Sequence, residues 1–163
     1  MIVTLASFAS LRAGAVKTLS WLTESTQMAT IDPIITAWQM ERREIGMLEF
    51  TPTDTASQRF PYWSLPDSST FLGMLESDAL CLLDDGTLCV YDHEVTGRVL
   101  CPAAPDQSSM ISALLEIDAF FDRCGDKEDL VDDESATTQM REKCTKLVGG
   151  DAYATFMQLF FGA

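Results

Sequence analysis

The sequence predicts an α+β fold: a mostly antiparallel sheet with helices packed against it, including N-terminal and C-terminal helices, in one domain over 1–163. Two observations predict it. The stretch LCLLDDGTLCVYDHEVTGRVL, Leu80 to Leu100, alternates short apolar runs with turn residues, the signature of adjacent antiparallel strands. On both sides of it, apolar residues recur three or four apart, the signature of helices that bury one face. A chain of 163 residues suits one core and is short for two.

At the start, Met1, Leu5, Phe8, Leu11, Ala15, Leu19 and Leu22 fall on one helical face. Asp32-Pro33 opens a second helix, an N-cap followed by proline at the first helical position. Ile34, Ile35, Trp38 and Ile45 form its expected buried side, Glu41 to Glu44 its solvated side, and Gly46 its stop. From Thr51 to Ser69 three prolines and many small polar residues predict a long loop. Its Phe60, Tyr62 and Trp63 either pin it to the core or present a contact surface.

In the strand region, Asp85-Gly86 predicts a two-residue hairpin turn of type I′ between Leu80–Leu83 and Thr87–Tyr91. His93 to Gly97 makes the next connection and Arg98 to Cys101 the third strand. Leu80 and Leu82 face one way, Cys81 and Leu83 the other, so this strand belongs inside the sheet. Ser108 or Ser109 then caps a helix carrying Met110, Ile111, Leu114, Ile117, Phe121 and Cys124, with Gly125 as its stop. A C-terminal helical extension occupies 135–163. It holds a shorter helix from about Ala136 to Val148, ended by Gly149-Gly150, and a last apolar segment capped by Asp151.

Composition narrows the function. Asp and Glu number 25 against 11 Lys and Arg, a formal net charge of −14. Such a surface repels nucleic-acid phosphates and anionic lipid and favours a basic partner. Five scattered cysteines without a CxxC pair fit buried thiols in a reducing cytoplasm. No run approaches the roughly 20 apolar residues that span a bilayer, and the apolar N-terminus lacks the basic start of a signal peptide.

The chemistry-bearing motifs are thin. His93-Glu94 begins like HExxH, but the fifth position is Gly97, and no calcium loop or glycine-rich phosphate loop follows. A cysteine paired with His93 would give a small hydrolase; a solvated turn histidine is the plainer reading. The sequence thus predicts no catalytic residue, no cofactor and no metal. What it offers is a surface: the acidic linker Asp126, Glu128, Asp129, Asp132, Asp133 and Glu134, the turn carboxylates Asp84, Asp85, Asp92 and Glu94, and the aromatics Tyr62 and Trp63. The linker reads either as a solvated loop or as a docking strip for basic side chains.

The order of these elements resembles the SUKH superfamily of immunity proteins of bacterial polymorphic-toxin systems, and its SUKH-4 branch in particular. The matching parts are the strand Ala79–Leu83, the acidic-glycine turn Asp84-Asp85-Gly86, the strand Leu88–Asp92, the turn and strand Thr96–Val99, and a serine-started helix from Ser108 to Phe121. The likeness covers residues 79–124 well and 140–162 thinly. Thr87 and Gln107 stand where the family often has glycine and asparagine. The resemblance implies an α+β domain that binds a cognate toxin, here a basic nuclease, in the cytoplasm without catalysis. Acidic chains of this size are also similar to type III secretion chaperones, which dimerise and hold an extended effector segment.

Overall fold

The protein is described by a computed structural model covering residues 29–62, 64–126 and 133–161, without the side chain of Asp126. The helix expected over residues 1–22 lies outside the described residues. Among the described residues six strands form one sheet in the order β1 to β6, every neighbouring pair antiparallel. The strands are β1 (Glu44–Ile45), β2 (Leu48–Phe50), β3 (Ser69–Leu75), β4 (Asp78–Leu83), β5 (Leu88–Tyr91) and β6 (Val99–Ala104). Helices α1 (Pro33–Glu41), α3 (Gln107–Asp126), α4 (Glu134–Leu147) and α5 (Ala154–Phe161) bury their apolar sides on one face, called inner here. The short α2 (Thr53–Arg59) packs on β3 at the other, outer face. Among the described residues no helix is long and apolar enough to cross a membrane.

Helix α1 starts as expected: the Asp32 carboxylate accepts from the Ile34 N–H at 2.8 Å, with Pro33 behind it. Gln107, at the start of α3, clamps this corner. Its amide donates to Thr30 O while its Oε1 accepts from the Asp32 N–H. The helix ends well before Gly46, because Arg42 turns left-handed (φ 52°). Gly46 instead turns β1 into β2, so Ile45 is buried from a strand, and Ile34 is exposed rather than buried. The expected loop over 51–69 contains α2. That helix is polar along its length and holds on through Ala56, its one buried residue.

Strand β3 carries the device that sorts the two faces. Its register with β4 slips between Phe71 and Gly73, so Leu72 is an extra residue, a β-bulge. Without the bulge, Phe71 and Met74, three apart, would point to opposite faces. With it, both reach the outer cluster while Leu72 and Leu75 reach the inner core. Gly73 lies against β2 so closely that a Cβ would stand 2.6 Å from Glu49 O. The Gln39 amide of α1 reaches across and donates to Leu72 O at 2.9 Å, tying the bulged residue to α1.

The β4–β5 turn differs from type I′. Only Gly86 has positive φ (88°). Gly86 N–H donates to Leu83 O, and Leu83 N–H to Thr87 O. This is the three-residue loop that ends in a left-handed glycine. An aspartate at position 85 avoids the strained region that type I′ would impose on it. Helix α3 is capped by Asp106, whose carboxylate accepts from the Ser109 N–H at 2.7 Å, not by Ser108 or Ser109. Its C-terminus passes Gly125 by one residue. Helix α4 begins at Asp133, whose carboxylate accepts from the N–H groups of Ser135 and Ala136. It closes at Gly149-Gly150 with Gly150 N–H to Thr145 O and Gly149 N–H to Lys146 O, the paired bonds of a Schellman motif. Asp151 starts a 3-10 turn, with Gly150 as its N-cap, that leads into α5.

Candidate functional site

The outer face is covered unevenly. Ala56 of α2, with Phe60 and Leu65, closes it over β3 and β4, where Phe71, Met74, Ala79 and Cys81 are buried. Toward β6 the cover by described residues stops. Tyr91 pairs with Val99 and Cys89 with Pro102, and side chains directly opposite on antiparallel strands share a face. Val99 is 46% exposed, Pro102 is exposed, and Cys89 and Leu83 are half-buried. An apolar strip therefore runs down the β5–β6 side. Val95, Leu100 and Tyr62 are further exposed apolar side chains, Tyr62 at 95%. The β6 edge itself is blunted. Two register shifts interrupt its pairing, and Pro102 has no N–H to offer a new strand. This edge is therefore poorly suited to the addition of a further strand.

Carboxylates stand at both ends of the strip, about 17 Å apart by the length of β4. At one end, the Asp85 carboxylate accepts from Thr87 Oγ1 at 2.6 Å and Thr87 N at 3.0 Å. The Thr87 hydroxyl and then its N–H hold the Asp85 carboxyl below its ordinary range. Asp84 sits beside it in the same turn. At the other end, Asp92 organises the β5–β6 connection. Its Oδ1 accepts from the N–H groups of Glu94 and Val95 at 2.6 and 3.0 Å, and its Oδ2 holds the Arg98 guanidinium. Burial pushes the Asp92 carboxyl up, but Arg98 and the two N–H groups together bring it below the usual value. The Asp92 side chain is only 6% exposed, so it braces the turn from within.

His93 is more than a solvated turn residue. Its Nδ1 lies 2.7 Å from Asp78 Oδ1, which also accepts from the His93 N–H at 3.1 Å. Its Nε2 lies 3.9 Å from Glu94 Oε1. The hydrogen bond its ring donates to Asp78 raises the imidazole above its ordinary pKa. Asp78 is fifteen residues from His93, and no local motif signals it. The hairpin register does: counting back from Leu82 opposite Leu88, Ala79 meets Tyr91 and Asp78 comes beside Asp92 and His93.

The remaining predicted residues scatter. Asp133 and Glu134 begin α4, on the helix layer rather than on the strip. Asp126 closes α3. Trp63, Glu128, Asp129 and Asp132 lie outside the described residues. Among the described residues the predicted carboxylates form no single patch. Asp84 and Asp85 take one end of the hairpin, Asp92 and Glu94 the other.

The thiols are quiet. All five cysteines are free. Burial pushes Cys81 up to about 12 and Cys101 and Cys144 up to about 11, and it raises Cys89 as well. Thiols shifted this way are poor nucleophiles. Two shallow depressions lie among the helices. One, of about 350 Å³, is walled by Arg141, Lys146, Asp151 and Gln158; the other, of about 340 Å³, by Phe120, Arg123 and Met140. Neither has a thiol or imidazole in its wall.

No protein-family model, curated protein or solved structure matches the chain.

Proposed function

We propose that this chain is a non-enzymatic binding protein that takes up a basic protein partner, and that its role is to neutralise a cognate toxin in the cytoplasm as an immunity protein. The observation that carries this reading is the open apolar strip of Val99, Pro102 and Cys89, flanked at its two ends by the exposed carboxylates of Asp85 and Glu94. Apolar groups supply the affinity of such an interface. The surrounding negative field of a chain at −14 speeds encounter with a cationic surface. The SUKH resemblance over 79–124 points the same way. Five free cysteines fit a reducing compartment. A non-catalytic role is supported by thiols that burial holds protonated and by a histidine whose partner is Asp78 rather than a thiol.

The test is to express the tagged protein in its native cytoplasm and identify by mass spectrometry what co-purifies in stoichiometric amount. The reading expects one basic protein whose toxicity is blocked on addition of this chain, with association slowing as salt is raised. A secreted effector segment held by a dimer would favour the chaperone reading instead. A partner that is acidic, or association indifferent to salt, would refute the electrostatic part.

A further inference from the structure

The end of the β4–β5 hairpin brings together the chain's only histidine and two carboxylates from separate segments. We propose that Asp78, Asp92 and His93 form a divalent-cation site of mixed nitrogen and oxygen donors, suited to zinc(II) or cobalt(II). One ligand atom from each residue lies within 4.8 Å of the other two. Metal–donor bonds of roughly 2.0–2.2 Å put neighbouring donors of a tetrahedral or octahedral shell about 3.0–3.5 Å apart. His93 Nδ1 and Asp78 Oδ1, now 2.7 Å apart, need open by about 0.3–0.8 Å for such a shell. Asp92 has to close in, and its anchor is already fixed: Oδ1 is held by two backbone N–H groups while Oδ2 points to Arg98. Oδ1 keeps those two bonds while Oδ2 turns from Arg98 to the ion.

Two further features fit. Glu94 Oε1 stands 3.9 Å from His93 Nε2, the side on which a carboxylate customarily orients a metal-bound imidazole. The imidazole also selects the class of ion, since calcium and magnesium prefer all-oxygen shells. The competitor is in view as well. The Arg98 guanidinium occupies the Asp92 oxygen that a cation would take, so the ion binds by displacing it. Once bound, it would tie the start of β4 to the 92–98 connection, next to Val99 on the outer strip.

The experiment is a cobalt(II) titration of the chelator-treated protein, read by the proton resonances of its single imidazole and by visible absorption. The expected result is saturable one-to-one binding with paramagnetic shift or broadening of the His93 ring signals, and bands of nitrogen–oxygen ligation without thiolate charge transfer. His93→Gln and Asp78→Asn, with unchanged circular dichroism, should each weaken binding by at least roughly tenfold. Arg98→Gln should tighten it, because Asp92 loses its competing partner. Ring signals unmoved at millimolar cobalt, or a thiolate band accounting for the binding, would overturn the site. Arg98→Gln binding no better than the native protein would remove Asp92 and overturn the three-donor assignment.

Discussion

Replacing Gln39 by Met tests how the sheet keeps its two faces distinct. The Gln39 amide donates to Leu72 O at 2.9 Å, with Phe71 O at 3.3 Å and Thr51 O at 3.4 Å also within reach. These carbonyls belong to the β3 bulge and to the chain leaving β2. Methionine matches glutamine in length and in helix propensity, so the change removes the donor and little else. A buried carbonyl left without its donor costs about 1–3 kcal/mol. For a chain of this size each kcal/mol lowers Tm by about 2–4 °C, which predicts a fall of about 2–12 °C. Urea unfolding followed by circular dichroism should show a lower midpoint with an unchanged slope. Gln39→Glu should do more harm, since an ionised carboxylate has no proton to give and faces the same oxygens. A Gln39→Met midpoint equal to that of the native protein would refute the idea that this amide holds the bulge.

Other expectations follow from single groups. Thr51 is fully buried and its hydroxyl has no hydrogen-bond partner among the described residues, so Thr51→Val should stabilise by about 1 kcal/mol, removing an unsatisfied polar atom at constant shape; destabilisation in urea melts would show that the hydroxyl is partnered. Brief treatment of the native protein with a thiol reagent should label Cys89, the one half-buried cysteine, and fast labelling of Cys81 or Cys144 on intact-protein mass spectra would contradict the buried core. In chelator-treated protein, His93 has a folded pKa above its ordinary 6.5. The stability from its bond to Asp78 is therefore full below 6.5 and lost as pH rises through the folded value. Asp78→Asn should abolish that loss, and an imidazole titrating at or below 6.5 by NMR would refute the pairing.

Much of the architecture is legible in the sequence where local chemistry agrees with the fold. Asp32-Pro33 marks the start of α1, DDG marks the β4–β5 hairpin, and Gly149-Gly150 marks the end of α4. The misses share a cause: the tertiary context is what decides them. Ile45 continues the spacing of Trp38 by sevens, so it reads as helix, yet Arg42 has already ended α1 and Ile45 is buried from β1. The polar TDTASQR of α2 has no apolar stripe to announce a helix. The bulge at Leu72 breaks the alternation by which β3 would be recognised, placing Phe71 and Met74 three apart on one face. The site was half legible. The turn carboxylates could be named from the hairpin, but the open strip depends on which side of the sheet the helices take. No pattern within the 80–100 stretch encodes that choice. Asp78 needed the strand register before it could be placed beside His93.

The claim that the β5–β6 side of the outer face holds the partner is tested most directly on the co-purified complex. The measurement is the affinity of that partner, by isothermal titration, for the native chain and for the double variant Val99→Asp, Pro102→Asp with unchanged unfolding midpoint. Loss of two central contacts worth about 2 kcal/mol or more each should weaken binding by several hundredfold, at roughly 1.4 kcal/mol per factor of ten. A variant that binds as tightly as the native chain would place the partner elsewhere and contradict the account.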